Sequence, residues 1–203
     1  MVAAAALAVA LTAIAAPAPE VVYPQIGTVK IGAGNDPRGA APELVDSAWE
    51  EIPWHRIDAQ DRLLWVRAHV SIPQPAVFDG VPLAIYVSAL AAYDVFWNGE
   101  RIGGSGLPGA NAALEVPGTL DTSHYLPARL LRPGDNVLAL KMSTFHLRRT
   151  LVSPTHFLAI DEHGALRQQA LVQRLPVLAA AGALLLGAVY FAGLFISGRR
   201  GRG

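Results

Sequence analysis

Apolar and polar residues alternate along the middle of the chain with a period of two, the period of side chains along a β-strand. The longest such run is Leu63 to Ile72, and Leu83 to Leu90, Tyr93 to Trp97 and Val137 to Ser143 repeat the pattern. No amphipathic helix of ten residues fits between residues 55 and 165. The pattern therefore predicts an all-β domain of seven or eight short strands, arranged as a jelly-roll β-sandwich.

Turn sequences separate these runs. Asn98-Gly99 follows the third run directly and is the preferred pair for a type I′ turn, because both central positions need positive φ. Glu100 to Ile102 is then expected to return as the partner strand. Arg132 to Asn136 carries a second turn signal, and Asp161 to Gly164 predicts a last hairpin whose second arm begins at Ala165.

A long apolar segment lies near the C-terminus. Leu175 to Ile196 contains no charged residue, no Asn and no Gln. A helix of about 22 residues is roughly 33 Å long and can cross a hydrocarbon core of about 30 Å. The segment predicts one transmembrane helix over 174–197. The basic end, 198–203, contains three arginines and is expected in the cytoplasm.

The N-terminal segment, 1–18, is also hydrophobic, and its run from Val2 to Ala16 has the length and the small residues of a secretory signal. An uncleaved N-terminal anchor is the alternative. Residues 19–45, with the Gly- and Pro-rich stretch Gly32 to Pro42, are predicted to form a linker or irregular loop. Both alternatives place the jelly-roll domain, 46–170, in the periplasm and the chain in a bacterial inner membrane.

Composition excludes several classes of function. The net charge is zero, which gives no electrostatic case for nucleic-acid binding, and the absence of cysteine excludes disulfides and thiolate metal sites. The six histidines show no metal-ligand spacing. Gly103 to Gly109 predicts a flexible loop; Gly104 to Gly109 matches G-x-G-x-x-G but opens no helix, so no dinucleotide site is expected. We expect no cofactor, no metal and no catalytic residue.

Three separated motifs carry a family resemblance. They are Leu64 to Arg67, Tyr93 to Gly103 and Leu130 to Leu140. In this order they resemble the galactose-binding-like jelly roll known from the sugar-binding domain of family 2 glycoside hydrolases. Together with the membrane helix, the chain is similar to the N-terminal part of bacterial receptors with seven membrane helices and diverse intracellular signalling modules.

The resemblance implies a ligand-sensing ectodomain and no enzyme. In the hydrolases that it resembles, the catalytic acids lie in a separate barrel domain. The clustered acids of this chain lie at predicted turns or strand ends and are Glu50, Glu51, Asp58, Asp61, Asp161 and Glu162. Hydrolysis by paired carboxylates is therefore not expected.

A ligand site is expected in the loops at one end of the sandwich, 103–118 and 144–156. The candidate ligand-binding residues are Trp97, His146, Arg148 and Arg149, with a solvated basic loop facing lipid headgroups as the alternative for the last three. Among the aromatic residues, Trp97 has the strongest case for exposure, because it lies beside the Asn98-Gly99 turn, and core packing is its alternative. Trp65 and Tyr93 are expected in the core.

The predicted function is an extracytoplasmic sensory domain that couples ligand binding to the membrane helix. The last hairpin, Phe157 to Gln169, would pass a change of tilt to the helix that begins near Arg174. The expected partners are the lipid bilayer and a small molecule or carbohydrate, with another envelope protein as a further candidate. The alternative is a membrane-tethered structural, interaction or carbohydrate-binding module without a signalling role.

Overall fold

The chain folds as an antiparallel β-sandwich. The computed structural model describes residues 23–24, 26–74, 78, 80–147, 154–164 and 176–191. The strands in this part of the chain are β1 (Thr28–Ala33), β2 (Glu50–Pro53), β3 (Leu63–Ile72), β4 (Leu83–Ala89), β5 (Ala92–Trp97), β6 (Glu100–Ser105), β7 (Thr122–Leu126), β8 (Gly134–Ser143) and β9 (Thr155–Glu162). They form a six-stranded sheet of order β2-β1-β3-β8-β5-β6 and a three-stranded sheet of order β7-β4-β9. The prediction of an all-β sandwich is confirmed.

The core lies between the two sheets and follows the alternation in the sequence. Strand β3 pairs with β8 along its whole length, from Leu63 opposite Ser143 to Ile72 opposite Gly134. Its apolar face is buried against Ile85 of the smaller sheet and its neighbours. The bounds of β3 are those that the sequence predicts.

The hairpin between β5 and β6 has the predicted type of turn. Asn98 has φ 49° and Gly99 has φ 87°. The Asn98 side chain also holds the turn, because its Oδ1 accepts from the Val137 amide at 2.9 Å and its Nδ2 donates to the Leu130 carbonyl at 2.9 Å. Asn98 therefore adopts the positive φ that the turn needs, and its side chain also hydrogen-bonds to Leu130 and Val137.

The prediction of a flexible loop from Gly103 to Gly109 is wrong at its start, because strand β6 continues through Ser105. A Cβ on Gly103 would lie 2.4 Å from Nδ1 of His124. The glycine therefore permits close packing against His124 rather than flexibility.

The predicted linker also contains a strand. β1 lies within 19–45 and is hydrogen-bonded between β2 and β3, so this part of the prediction is wrong. The residues that follow it, 34–49, cover the outer face of β3 and bury Trp65 and Arg67. The strand escapes prediction because Gly32 interrupts its pattern, and this glycine lies against the ring of Trp49.

A buried ion pair fixes this covering segment. Arg67 is 0% exposed, and its Nε donates to Oδ2 of Asp46 at 2.8 Å. Its Nη1 donates to the carbonyls of Gly39 and Ala41, both at 2.8 Å. Lys30 Nζ donates to the second oxygen of Asp46 at 2.9 Å. Every part of the buried guanidinium charge therefore has an acceptor from the segment.

His69 extends this cluster to the surface. Its Nε2 lies 2.9 Å from Oδ2 of Asp46, and its Nδ1 lies 2.7 Å from Oδ2 of Asp135. Burial alone would raise the pKa of Asp46, but hydrogen bonds from Lys30, His69 and Arg67 hold it well below its usual range. Burial lowers the pKa of His69, yet hydrogen bonds with Asp135 and Asp46 raise it overall.

Residues 176–191 form a helix. No helix in the described part of the chain combines the length and the apolar character needed to cross a membrane. The ends of the predicted span, 174–175 and 192–197, lie outside the described residues, as do the predicted signal segment 1–18, the hairpin arm from Ala165 and the basic end 198–203.

Replacing Asp46 by Asn should destabilise the domain by about 3–5 kcal/mol, because Arg67 would stay buried without its counter-charge. Urea unfolding of the full chain, followed by tryptophan fluorescence, measures the change. The matched control is Glu100→Gln, which breaks the exposed pair with Arg129 and should have little effect. Equal effects of the two substitutions would contradict a special role for the buried pair.

Candidate functional site

The two loops that the sequence singles out lie at the same end of the sandwich. In the smaller sheet, Val87 near the end of β4 pairs with Thr122 at the start of β7 and with Leu158 near the start of β9. The loops that enter β7 and β9 therefore meet at this end. We call it the loop end.

Glu115 joins the loops to each other. It is buried, and its carboxylate accepts hydrogen bonds from the Ser143 hydroxyl, the Phe145 amide at 3.0 Å and the His146 amide at 3.1 Å. Nδ1 of His146 lies 3.0 Å from Oε1 of the same carboxylate. The Gly109 amide donates to the Ser143 hydroxyl at 3.1 Å, which adds a further link between the loops.

These contacts determine the charge state of the cluster. Burial alone would raise the pKa of Glu115, but hydrogen bonds from Ser143, Phe145 and His146 lower it overall. Glu115 is therefore ionised at neutral pH. Because an ionised carboxylate can only accept, Nδ1 of His146 carries the proton, and Nε2 is the ring nitrogen left for another partner.

A cavity of about 140 Å³ opens beside this cluster. Leu90, Pro117 and Leu147 form apolar parts of its wall, and the polar residues that line it are Glu115, Thr144 and His146. The Thr144 hydroxyl is buried and makes no hydrogen bond to the part of the chain that the structure describes. Such a buried, unpaired hydroxyl costs about 1–3 kcal/mol.

The loop from 106 to 120 presents an apolar outer surface. Leu107 and Val116 exchange two backbone hydrogen bonds, of 2.8 and 2.9 Å, and both side chains are exposed. Leu114 is 58% exposed. Glu115 is the one charged residue of this loop, and it faces inward. We call residues 106–120 the apolar loop.

The G-x-G-x-x-G pattern of Gly104 to Gly109 is explained by packing. Gly106 has φ 68°, and a Cβ there would lie 2.2 Å from the Val116 carbonyl oxygen. A Cβ on Gly109 would lie 2.5 Å from the Glu115 amide. The glycines let the apolar loop fold back on itself, and no helix follows them.

The structure distributes the predicted site residues unevenly. His146 lines the cavity, while Arg148 and Arg149 lie outside the described residues. Trp97 is 0% exposed and its indole donates to the Leu130 carbonyl at 3.1 Å, so its candidacy as an exposed ligand-binding residue is wrong and the alternative, core packing, is confirmed. Its position shows why: in β5 it has the same parity as the buried residues Tyr93 and Val95, which face the core.

Two polar residues of the cavity are missed by the sequence analysis. Thr144 gives no signal, because an isolated threonine after a strand is unremarkable. Glu115 does give one, since it is the lone charge in a long uncharged loop. A single acid in such surroundings is a candidate for an inward-facing anchor.

A second concave surface lies on the outer face of the larger sheet. It has a volume of about 690 Å³ and is bounded on one side by residues from the covering segment, including Pro42. Phe96 forms part of its lining, with its ring centroid 5.4 Å from that of Trp65. Asp94, which accepts from Arg101 at 2.8 and 2.6 Å, and Lys141 add charges of both signs. We call it the sheet groove.

Fold and site together define a β-sandwich with one concave surface at the loop end and another on the outer face of the larger sheet. No protein-family model matches the chain, and no curated protein matches it. Among solved structures it is similar to a family 2 glycosyl hydrolase from Bacteroides cellulosilyticus (15% identity, TM-score 0.48), a beta-glycosidase from Bacteroides vulgatus (14%, 0.48) and an exo-chitosanase from Amycolatopsis orientalis (11%, 0.49). Each match covers 68% of this chain.

The chain spans about a fifth, 20%, of the length of each of these structures. The first belongs to the hydrolase family that the sequence motifs resemble. The strand pairing and the core of this chain by themselves define a β-sandwich.

Replacing Glu115 by Gln should loosen the loop end, because an amide nitrogen would face donors that now meet a carboxylate oxygen. Loss of these charge-assisted hydrogen bonds should cost about 1.5–3 kcal/mol each in local stability. Hydrogen exchange at the Phe145 and His146 amides measures the effect.

Glu51→Gln, an exposed acid on β2, is the matched control. Unchanged protection of the Phe145 and His146 amides in Glu115→Gln would mean that the carboxylate does not hold the two loops together.

Proposed function

We propose that the chain is the N-terminal part of a membrane-bound bacterial signalling receptor, and that its sandwich is an extracytoplasmic ligand-binding domain. The observation that carries the proposal is the surface of the helix formed by residues 176–191. Every residue of this helix except Gly187 is exposed, and none is charged. Leu184, for example, is 76% exposed.

A helix that is apolar on all sides is stable only when something apolar surrounds it. Each square ångström of exposed apolar surface costs about 25 cal/mol in water. The uncharged sequence continues to Ile196, which gives about 22 residues and matches a bilayer core of about 30 Å. We therefore propose lipid as the surrounding medium, with the basic end in the cytoplasm.

The turn after β9 supports a sensory arrangement. β9 runs from the loop end toward Glu162, which pairs with Leu83 at the opposite end of the sheet. The Tyr86 hydroxyl holds this turn, because it donates to the Glu162 carbonyl at 3.0 Å and accepts from the Gly164 amide at 2.7 Å.

We propose that ligand binding shifts a population of domain tilts, which the last hairpin passes to the helix. A well-held turn at the end of β9 favours such a transfer, because a loose one would absorb the motion. The state of Glu115 supports binding rather than catalysis. Its carboxylate already accepts from Ser143, Phe145 and His146, so it is not free to act as a general base.

The full chain should remain with bacterial membranes after carbonate extraction. Leu185→Arg combined with Val189→Arg should release it, because each arginine costs about 2.5–3.5 kcal/mol at the centre of a membrane helix. Immunoblots of membrane and soluble fractions measure the distribution.

The matched control is Leu114→Arg, the same change on an exposed leucine of the apolar loop, which should stay with the membrane. Alkaline phosphatase fused after Arg167 should be active if the domain is outside the cytoplasm. Recovery of the unaltered chain in the soluble fraction would contradict anchoring, and an inactive fusion would contradict the orientation.

The sheet groove favours a second candidate function, a membrane-tethered carbohydrate-binding module without signalling. An aromatic ring offers a flat apolar surface on which a sugar ring can stack. Sugar hydroxyl groups both donate and accept hydrogen bonds, so they suit a surface that carries donors and acceptors. Phe96 supplies the ring, while Asp94 and Lys141 supply an acceptor and a donor.

If the groove binds glycans, Phe96→Ala should weaken binding of the solubilised full chain to a glycan array by about tenfold, or ~1.4 kcal/mol. Tyr125→Ala removes an exposed aromatic ring from the smaller sheet and is the matched control. Glycan signals that survive Phe96→Ala, or no signal from the unaltered chain, would exclude the groove as a glycan site.

A further inference from the structure

The geometry points to the chemical class of ligand at the loop end: we propose that the cavity beside Glu115, Thr144 and His146 takes a small, uncharged molecule that carries an amide or a hydroxyl group. This inference deepens the proposed function and rests on its ligand-binding part. It does not depend on the membrane helix.

The volume limits the part of a ligand that the cavity can hold. A cavity of about 150 Å³ in another protein holds one benzene molecule, so about 140 Å³ accommodates roughly six non-hydrogen atoms. Because the cavity is open to solvent, a larger molecule would place only a group of this size in it. The apolar walls at Leu90, Pro117 and Leu147 favour a ligand with a short hydrocarbon part.

Among the residues that the structure describes, the charges around the cavity disfavour both kinds of ion. An anion would lie beside the ionised carboxylate of Glu115, which is buried and therefore weakly screened. A cation would find that carboxylate already accepting from the Ser143 hydroxyl and from His146. The apolar loop supplies no other charge, because residues 106–120 contain no charged residue besides Glu115. A neutral ligand avoids the desolvation cost of an ion.

Two polar groups remain for the ligand. The Thr144 hydroxyl is shielded from solvent and has no hydrogen bond to the described residues, so a change of χ1 rotamer has to bring it to the cavity wall in place of the methyl group. His146 has its Nδ1 engaged with Glu115, which leaves Nε2 for the ligand, and in a neutral imidazole this nitrogen accepts. An amide carbonyl can accept from the hydroxyl while the amide N–H donates to Nε2, so one neutral group satisfies both.

Three probes of nearly equal shape and different charge test this assignment: propanamide, propanoate and propanamidinium. The full chain in lipid nanodiscs is titrated with each, and the backbone amide resonances of Thr144 and His146 are followed. Propanamide should bind with a dissociation constant in the millimolar range, as expected for so small a ligand. The two ions should bind at least about tenfold more weakly.

Thr144→Val and Thr144→Ser separate the hydroxyl from the shape of the side chain. Thr144→Val keeps the volume and removes an unpaired buried hydroxyl, so it should fold with unchanged or higher stability and weaken propanamide binding by at least about tenfold. Thr144→Ser should restore binding. Equal propanamide affinity in Thr144→Val, stronger binding of propanoate, or no binding of propanamide to the unaltered chain would overturn the assignment.

The two proposals fail separately. Propanamide that does not bind a chain still resistant to carbonate extraction would refute the ligand class and leave the anchoring intact. Propanamide that binds a chain found in the soluble fraction would refute the anchoring and support the cavity.

Discussion

The fold depends on one buried charge, a guanidinium group on the sheet face that is usually exposed in a β-sandwich. Arg67 lies on the outer face of a central strand, where a guanidinium would ordinarily reach water, and it is fully buried. A buried charge must be neutralised and hydrogen-bonded, or it costs several kcal/mol. Asp46 and three carbonyls do this only when residues 34–49 lie across the sheet, so β3 is covered on both faces.

The pairing of the central strands β3 and β8 determines where the cavity forms. β3 and β8 pair in register over their full length, and this register sets the position of Ser143 at the end of β8. Ser143 donates to Glu115, which in turn orders the apolar loop and the start of the loop after β8. The loop end therefore takes its shape from the central strands through a single buried carboxylate.

Regular alternation made the main strands predictable. β3, β4 and the β5–β6 turn follow from a period of two and from the conformational needs of Asn98-Gly99, which are local properties. β1 and the burial of Arg67 are not local. Both depend on a distant segment that pairs with or covers the strand, and Gly32 hides that segment in the sequence. Trp97 shows that parity along a strand decides burial more strongly than closeness to a turn.

The cavity could be located only in part, for a similar reason. Loop residues at one end of a sandwich are a general expectation, and His146 was found in this way. The partnership of Glu115 with Ser143 joins residues far apart in the chain, and no spacing rule encodes it. One rule applies to other sequences: a single acidic residue in an otherwise uncharged loop is a candidate for a buried carboxylate that holds the loop by hydrogen bonds.

The inward position of Glu115 also has a kinetic consequence. Because the apolar loop shows no charge to the solvent, it adds nothing to the field that steers a charged molecule toward the protein. A neutral molecule meets this loop at the unassisted diffusional rate, and ionic strength neither speeds nor slows the encounter. For such a molecule, the frequency of contact depends on its concentration alone, across fresh and saline surroundings.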